Sequence, residues 1–240
     1  MASDNHTKVQ QSILAHIFNN EGFAMKKVAV ILSGCGVFDG AEVHEAVISL
    51  LALARQGATT QCFAPNVAQL HVINHLTGEI SERESRNVLV EAARICRGQI
   101  RDVAELDVAD YDALLVPGGF GAAKNLCDFA TKGAGCQIQP DVLKACQSFA
   151  NAHKPAAYIC IAPAMIPLIY GAGTLATIGH DEGTANAIEA MGGSHLNCPV
   201  NEFVVDQERK VISTPAYMLA NNIVEAADGI EKTVKQLLAL

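Results

Sequence analysis

The sequence predicts an α/β fold built on an open, parallel sheet. Three observations predict it: short, continuously apolar runs, amphipathic stretches between them, and turn residues that close each run. Strands buried on both faces read as unbroken apolar runs, and helices that cover such a sheet show one apolar stripe.

Val28–Leu32 is the first buried strand, closed by Ser33-Gly34-Cys35-Gly36. Glu42–Arg55 places Val43, Ala46, Val47, Leu50, Leu51 and Ala54 at helical spacing, and Gly57 suits a left-handed helix end. Thr59–Ala64 is the second strand, stopped by Pro65-Asn66; the connection makes it a parallel, right-handed neighbour. Pro65–Glu82 reads as a long polar loop, followed by a helix over Arg83–Cys96 and an extended piece at Ile100–Val103. Ala113–Val116 is a strand ending in Pro117-Gly118-Gly119, and a helix from Asp141 to Ala152 leads to the strand Ala156–Cys160. Ile161-Ala162-Pro163-Ala164 opens the next helix, through Tyr170. Beyond it, Thr174–Ile178 is β-like and Thr184–Met191 helical, Phe203–Asp206 and Lys210–Ser213 form a hairpin, and a helix runs from Leu219 to Leu238. No linker or repeat divides residues 25–240, which are expected to form one domain; residues 1–24 form a polar leader to which no role is assigned.

Composition narrows the function. Hydrophobic residues make up 50% of the chain, ample for a core without staples. The net charge is −8, from 17 basic and 25 acidic residues, with no basic stripe for a phosphate backbone, so nucleic acid is not expected as a partner. No apolar run reaches the ~20 residues of a membrane span. The eight cysteines sit in strand-like and helix-like runs without a C-x-x-C pair. Used as small core residues, they imply a reducing compartment, and without a signal peptide the cytoplasm is expected.

In an open α/β sheet the site lies beyond the carboxyl ends of the strands. Ser33–Gly40, Pro117–Gly121, Cys160–Pro163 and the loop holding His75 fall there, so Gly34, Cys35, Gly118 and His75 are expected to line a substrate pocket. Cys160 ends a strand and begins a helix, the geometry of a nucleophile elbow, where exposed N–H groups favour a thiolate; a buried strand-end thiol is the other reading. Gly118-Gly119 fits an oxyanion hole or an ordinary turn. Glu45 fits proton exchange with a thiol or a solvent-facing helix position, and His180 fits a partner for Cys160 or a surface histidine. Gly34-Cys35-Gly36 with Gly40 misses the dinucleotide spacing, the second strand ends without a ribose-binding acid, and no cluster has metal-ligand spacing. Neither cofactor nor metal is expected.

The segments Ser33–Gly40, Ile73–Glu79, Val116–Asn125, Cys160–Ala164 and Thr214–Ala220 closely resemble the ElbB (enhancing-lycopene-biosynthesis, or sigma cross-reacting) proteins, from about Met25 to the C-terminus. These belong to the ThiJ/PfpI superfamily, related in fold to class I glutamine amidotransferases. The resemblance implies a flavodoxin-like doubly wound sheet with helices on both faces, and a homodimer. It implies Cys160 as nucleophile, Glu45 as its hydrogen-bond partner, the N–H groups of Gly119 and Ile161 as oxyanion hole, and His180 near the cysteine. The expected activity is a glutathione-independent glyoxalase acting on a small 2-oxoaldehyde such as glyoxal or methylglyoxal. Two alternatives stand beside it. One is a glutaminase-type amide hydrolase, for which Tyr158 and Ala162 replace the usual flanking glycines and the His-x-Glu of His180-Asp181-Glu182 comes too soon. The other is a non-catalytic, redox-responsive protein linked to isoprenoid biosynthesis.

Overall fold

Each apolar run becomes a strand. In the computed structural model, which describes residues 25–240, the strands are β1 (Lys27–Ile31), β2 (Thr59–Ala64), β3 (Ile100–Asp102), β4 (Ala113–Val116), β5 (Ala156–Ile159), β8 (Val204–Asp206) and β9 (Val211–Thr214), with a separate pair β6 (Leu175–Ala176) and β7 (Ser194–His195). The leader, residues 1–24, lies outside the described residues. The main sheet runs β3-β2-β1-β4-β5-β9-β8, parallel throughout except for the antiparallel β8–β9 hairpin. Strand order reverses direction between β1 and β4, which makes the sheet doubly wound and leaves a crevice at their carboxyl ends.

Two buried clusters flank the sheet, because successive residues of a strand point to opposite faces. Ala29, Ile31, Leu114, Val116 and Tyr158 face one cluster; Val28, Val30, Leu32, Leu115 and Ile159 face the other. Helix α1 (Val43–Arg55) buries Glu45, Ala46, Ser49, Ala52 and Leu53, one helical face, in the second cluster. The other helices are α2 (Val88–Ala92), α3 (Phe129–Lys132), α4 (Pro140–Asn151), α5 (Ile166–Tyr170), α6 (Glu182–Ala190) and α7 (Ile223–Ala239). Residues of α4 and α5 pack in the first cluster, and Ile230, Val234 and Leu237 of α7 join α1 in the second.

The helix expected over Arg83–Cys96 shortens to α2. The Asn87 side chain accepts from the Val90 N–H and caps the helix there, while an antiparallel bridge from Asn87 to Ala68 keeps the preceding residues extended. The final helix likewise starts late, because Asn222 accepts from the Val224 and Glu225 N–H groups. The long loop after β2 is an ordered ribbon, bridged Ile73 to Ile80 and closed from Asn74 N–H to the Glu79 carbonyl. Among the described residues no helix is long and apolar enough to cross a membrane, and the eight cysteines are all free.

Candidate active site

Cys160 follows β5 directly. Its N–H still bonds the Thr214 carbonyl of β9 at 2.9 Å, as a strand residue would, yet its φ is +63°. A left-handed non-glycine residue stores strain, of order 1–3 kcal/mol, and persists where its surroundings over-determine it. The turn aims the sulfur out of the sheet, and the residue is 7% exposed, at the base of a cavity of about 480 Å³.

Glu45 lies beneath it, fully buried on the first turn of α1. Its Oε1 accepts from the Tyr217 N–H at 3.1 Å and its Oε2 from the Gly118 N–H at 3.0 Å, and it shares a hydrogen bond with Cys160. Burial pushes the carboxyl up to about 8; the Glu42 charge adds to the rise and the three hydrogen bonds oppose it. Burial, then the Glu45 charge, push the Cys160 thiol up; the Gly119 and Ile161 N–H groups, which donate to the sulfur, pull it down. The helix after the elbow is short, a 3-10 turn (Ala162–Met165) leading into five-residue α5, and it does not offset burial. Burial holds both groups toward their protonated forms, and loss of one proton leaves an acid–thiol pair that shares the other.

Gly118 and Gly119 are required by crowding. A side chain on Gly118 would overlap Cys160 Cβ and the Glu45 carboxyl. Gly119, at φ +93°, lies against the Gly40 carbonyl and the Glu42 N–H. The Glu42 N–H in turn bonds the Gly118 carbonyl at 3.0 Å, and the Glu42 carboxylate caps α1 at the Glu45 N–H, 2.7 Å away.

The cavity is walled by Val37, Phe120, Phe129, Ile161, Tyr217 and Met218, with Gly119 and Cys160 at its base and Glu42, Asp181 and Thr184 among its polar groups. Several expected pocket residues fall elsewhere. His180 is exposed and lines a separate depression with Glu182, Glu189 and His195. Its neighbour Asp181 faces the cavity instead, because its carboxylate caps α6 at the Thr184 N–H, 2.8 Å away. His75 does not line the cavity: Nδ1–H donates to the Ile73 carbonyl at 3.0 Å, Nε2 accepts from the Phe38 N–H at 3.3 Å, and the ring stacks on Phe38. It anchors the loop after β1. Gly34 packs on Gly40 and Gln69, and Cys35 turns toward Asp39, Glu91 and Arg94, with burial pushing its thiol up. Gly118 supports the floor without lining it. Tyr217 and Glu42 were not singled out from the sequence. Tyr217 sits just after β9, the sheet neighbour of β5, beside the left-handed Ala216 (φ +42°), and its hydroxyl meets His44 Nδ1 at 2.8 Å.

No family model matches the chain. An ES1 protein homolog of Rattus norvegicus, named mitochondrial, is 46% identical over 223 residues, covering 89% of this chain and 84% of that protein. A human protein named glutamine amidotransferase-like class 1 domain-containing protein 3, mitochondrial, is also 46% identical, with 89% and 83% covered. Among solved structures, an isoprenoid biosynthesis protein with an amidotransferase-like domain from Ehrlichia chaffeensis superposes with a TM-score of 0.83 at 36% identity, covering 89% of this chain and 98% of that one. A glyoxalase III from Candida albicans shares the fold, with a TM-score of 0.59 at 16% identity and coverage of 90% and 97%. Close identity over most of both lengths, with a common fold, places the chain in the ES1/ElbB family of glutamine amidotransferase-like proteins on the ThiJ/PfpI fold.

Proposed function

We propose that the protein is a cofactor-independent glyoxalase that converts a 2-oxoaldehyde and water to a 2-hydroxy acid. The observation that carries this reading is the convergence at Cys160 of a fully buried carboxyl, which burial pushes up to about 8, and the backbone N–H groups of Gly119 and Ile161. Cys160 sulfur adds to the aldehyde carbon, the carbonyl oxygen takes a proton, and a hemithioacetal forms. Glu45, as carboxylate after that transfer, removes the proton from C1 and returns it to C2 through an enediol, whose oxygens the Gly119 and Ile161 N–H groups stabilise. The product is a thioester, which water cleaves to the acid and the free thiol. The two carbons exchange oxidation level, so no external oxidant or reductant is consumed.

The amide-hydrolase reading lacks support in the cavity. Among the described residues its lining contains no histidine, His180 faces elsewhere, and His44 is held by the Tyr217 hydroxyl. For location we propose the cytoplasm, on the free cysteines; for assembly, a homodimer through the exposed face of α1. Glyoxal and methylglyoxal turnover by wild type and Cys160→Ala tests the activity. Lactate formation from methylglyoxal that disappears in the variant is expected; equal rates overturn the reading.

A further inference from the structure

The cavity above Cys160 is larger and more one-sided than a small dicarbonyl requires. Methylglyoxal has five non-hydrogen atoms, whereas about 480 Å³ suits a considerably larger ligand. The volume beyond the sulfur is bounded by the apolar side chains of Val37, Phe120, Phe129, Ile161 and Met218. Its charged groups are of one sign. Glu42 is nearly buried, and Asp181, lowered from its ordinary value by the Thr184 N–H, is exposed at the rim. Among the described residues the lining contains no lysine, arginine or histidine. Three cationic or titratable groups stand close by: Lys124 Nζ donates to the Phe38 carbonyl at 2.8 Å and lies over the Phe120 ring, His44 pairs with the Tyr217 hydroxyl, and His180, next to Asp181, lines the neighbouring depression instead.

Resting on the glyoxalase reading, we infer that the site selects 2-oxoaldehydes carrying a sizeable apolar arm, aromatic or branched, that is neutral or cationic, and rejects those whose arm is anionic. The apolar walls supply binding that a methyl group leaves unused. An anionic arm meets two carboxylates without a compensating donor side chain, and low-dielectric walls strengthen that repulsion.

The test compares phenylglyoxal with methylglyoxal, 4-carboxyphenylglyoxal and 4-(trimethylammonio)phenylglyoxal, in wild type, Glu42→Gln and Asp181→Asn. Both variants retain a capping oxygen for their helices. The expected kcat/KM is at least tenfold higher for phenylglyoxal than for methylglyoxal, and at least tenfold lower again for the carboxylate. The carboxylate penalty should shrink severalfold in either variant and in high salt. Methylglyoxal matching phenylglyoxal, or the carboxylate matching its neutral parent, overturns the inference.

Cys160 alkylation reads the same selectivity without turnover, which separates failure of this inference from failure of the glyoxalase reading. The ratio of iodoacetamide to iodoacetate rates, mapped at Cys160 by mass spectrometry, should exceed that of a free thiol at least tenfold and fall in Asp181→Asn and Glu42→Gln. If no 2-oxoaldehyde is turned over but this ratio holds, the activity is wrong and the pocket's charge selection stands. A ratio equal to the free thiol's, unchanged by the variants, removes the charge selection itself.

Discussion

Glu45 is a carboxyl group taken out of water, and this has a measurable sign. Its folded pKa of about 8 lies above the ordinary 4.5, so the folded state holds a proton that the unfolded state has lost. Its contribution to stability is therefore full below about pH 4.5, declines as pH rises, and is gone above about pH 8. Glu45→Gln removes the titration while keeping a hydrogen-bond donor. The difference in Tm between variant and wild type should move in the variant's favour across that window; a constant offset from pH 4.5 to 8 would place the ionisation elsewhere. The same substitution removes the Glu45 charge that helps push the Cys160 thiol up, so alkylation of Cys160 should be faster than in wild type. Turnover should fall roughly 10²–10⁴-fold, the scale of general acid–base catalysis. Full turnover would reduce Glu45 to a structural anchor of the elbow.

At the scale of elements, the loops after β1 and β4 and the elbow after β5 are pressed together until backbone touches backbone. Gly119→Ala should cost about 1–3 kcal/mol, through left-handed strain and overlap with the Gly40 carbonyl, lowering Tm by roughly 3–10 °C in thermal circular dichroism. Oxyanion stabilisation should fall with it. The strands of the main sheet are legible, Thr59–Ala64 and Ala113–Val116 to the residue, because their runs end in proline or glycine, whereas two-residue β7 carries no pattern to read. The π-turn Ala122–Leu126 and α3 were not read, since neither has a periodic pattern long enough to register, and so Phe129 escaped notice. The elbow showed in the junction of strand and helix at Cys160. Glu45 stood out only through family resemblance, because nothing local distinguishes it from a solvated helix glutamate. Tyr217 was invisible for another reason: its bond to Glu45 spans 172 residues and exists only because β9 pairs with β5. His75, Cys35 and Gly34 were placed at the right sheet edge, but their side chains are spent on internal loop contacts.

For the whole molecule, the outer face of α1 presents Val43, Val47 and Leu51, one helical turn apart and each more than a third exposed. A two-fold pairing of this stripe on itself is the self-complementary contact that the proposed dimer needs. Val47→Glu should shift sedimentation velocity from dimer to monomer while the far-ultraviolet spectrum stays unchanged; an unaltered dimer would move the interface off α1. The placement of Thr214 and Tyr217 has a further consequence, in the order of synthesis. During translation the elbow leaves the ribosome well before β9, yet the thiol's strand neighbour and one of the two donors holding its acid both come from that late segment. A nascent chain thus carries the cysteine and its acid before the Thr214 carbonyl and the Tyr217 N–H that anchor them exist, and a product truncated before Thr214 never acquires either anchor. The hydrogen bonds that fix the acid are therefore complete only in copies that reach Tyr217.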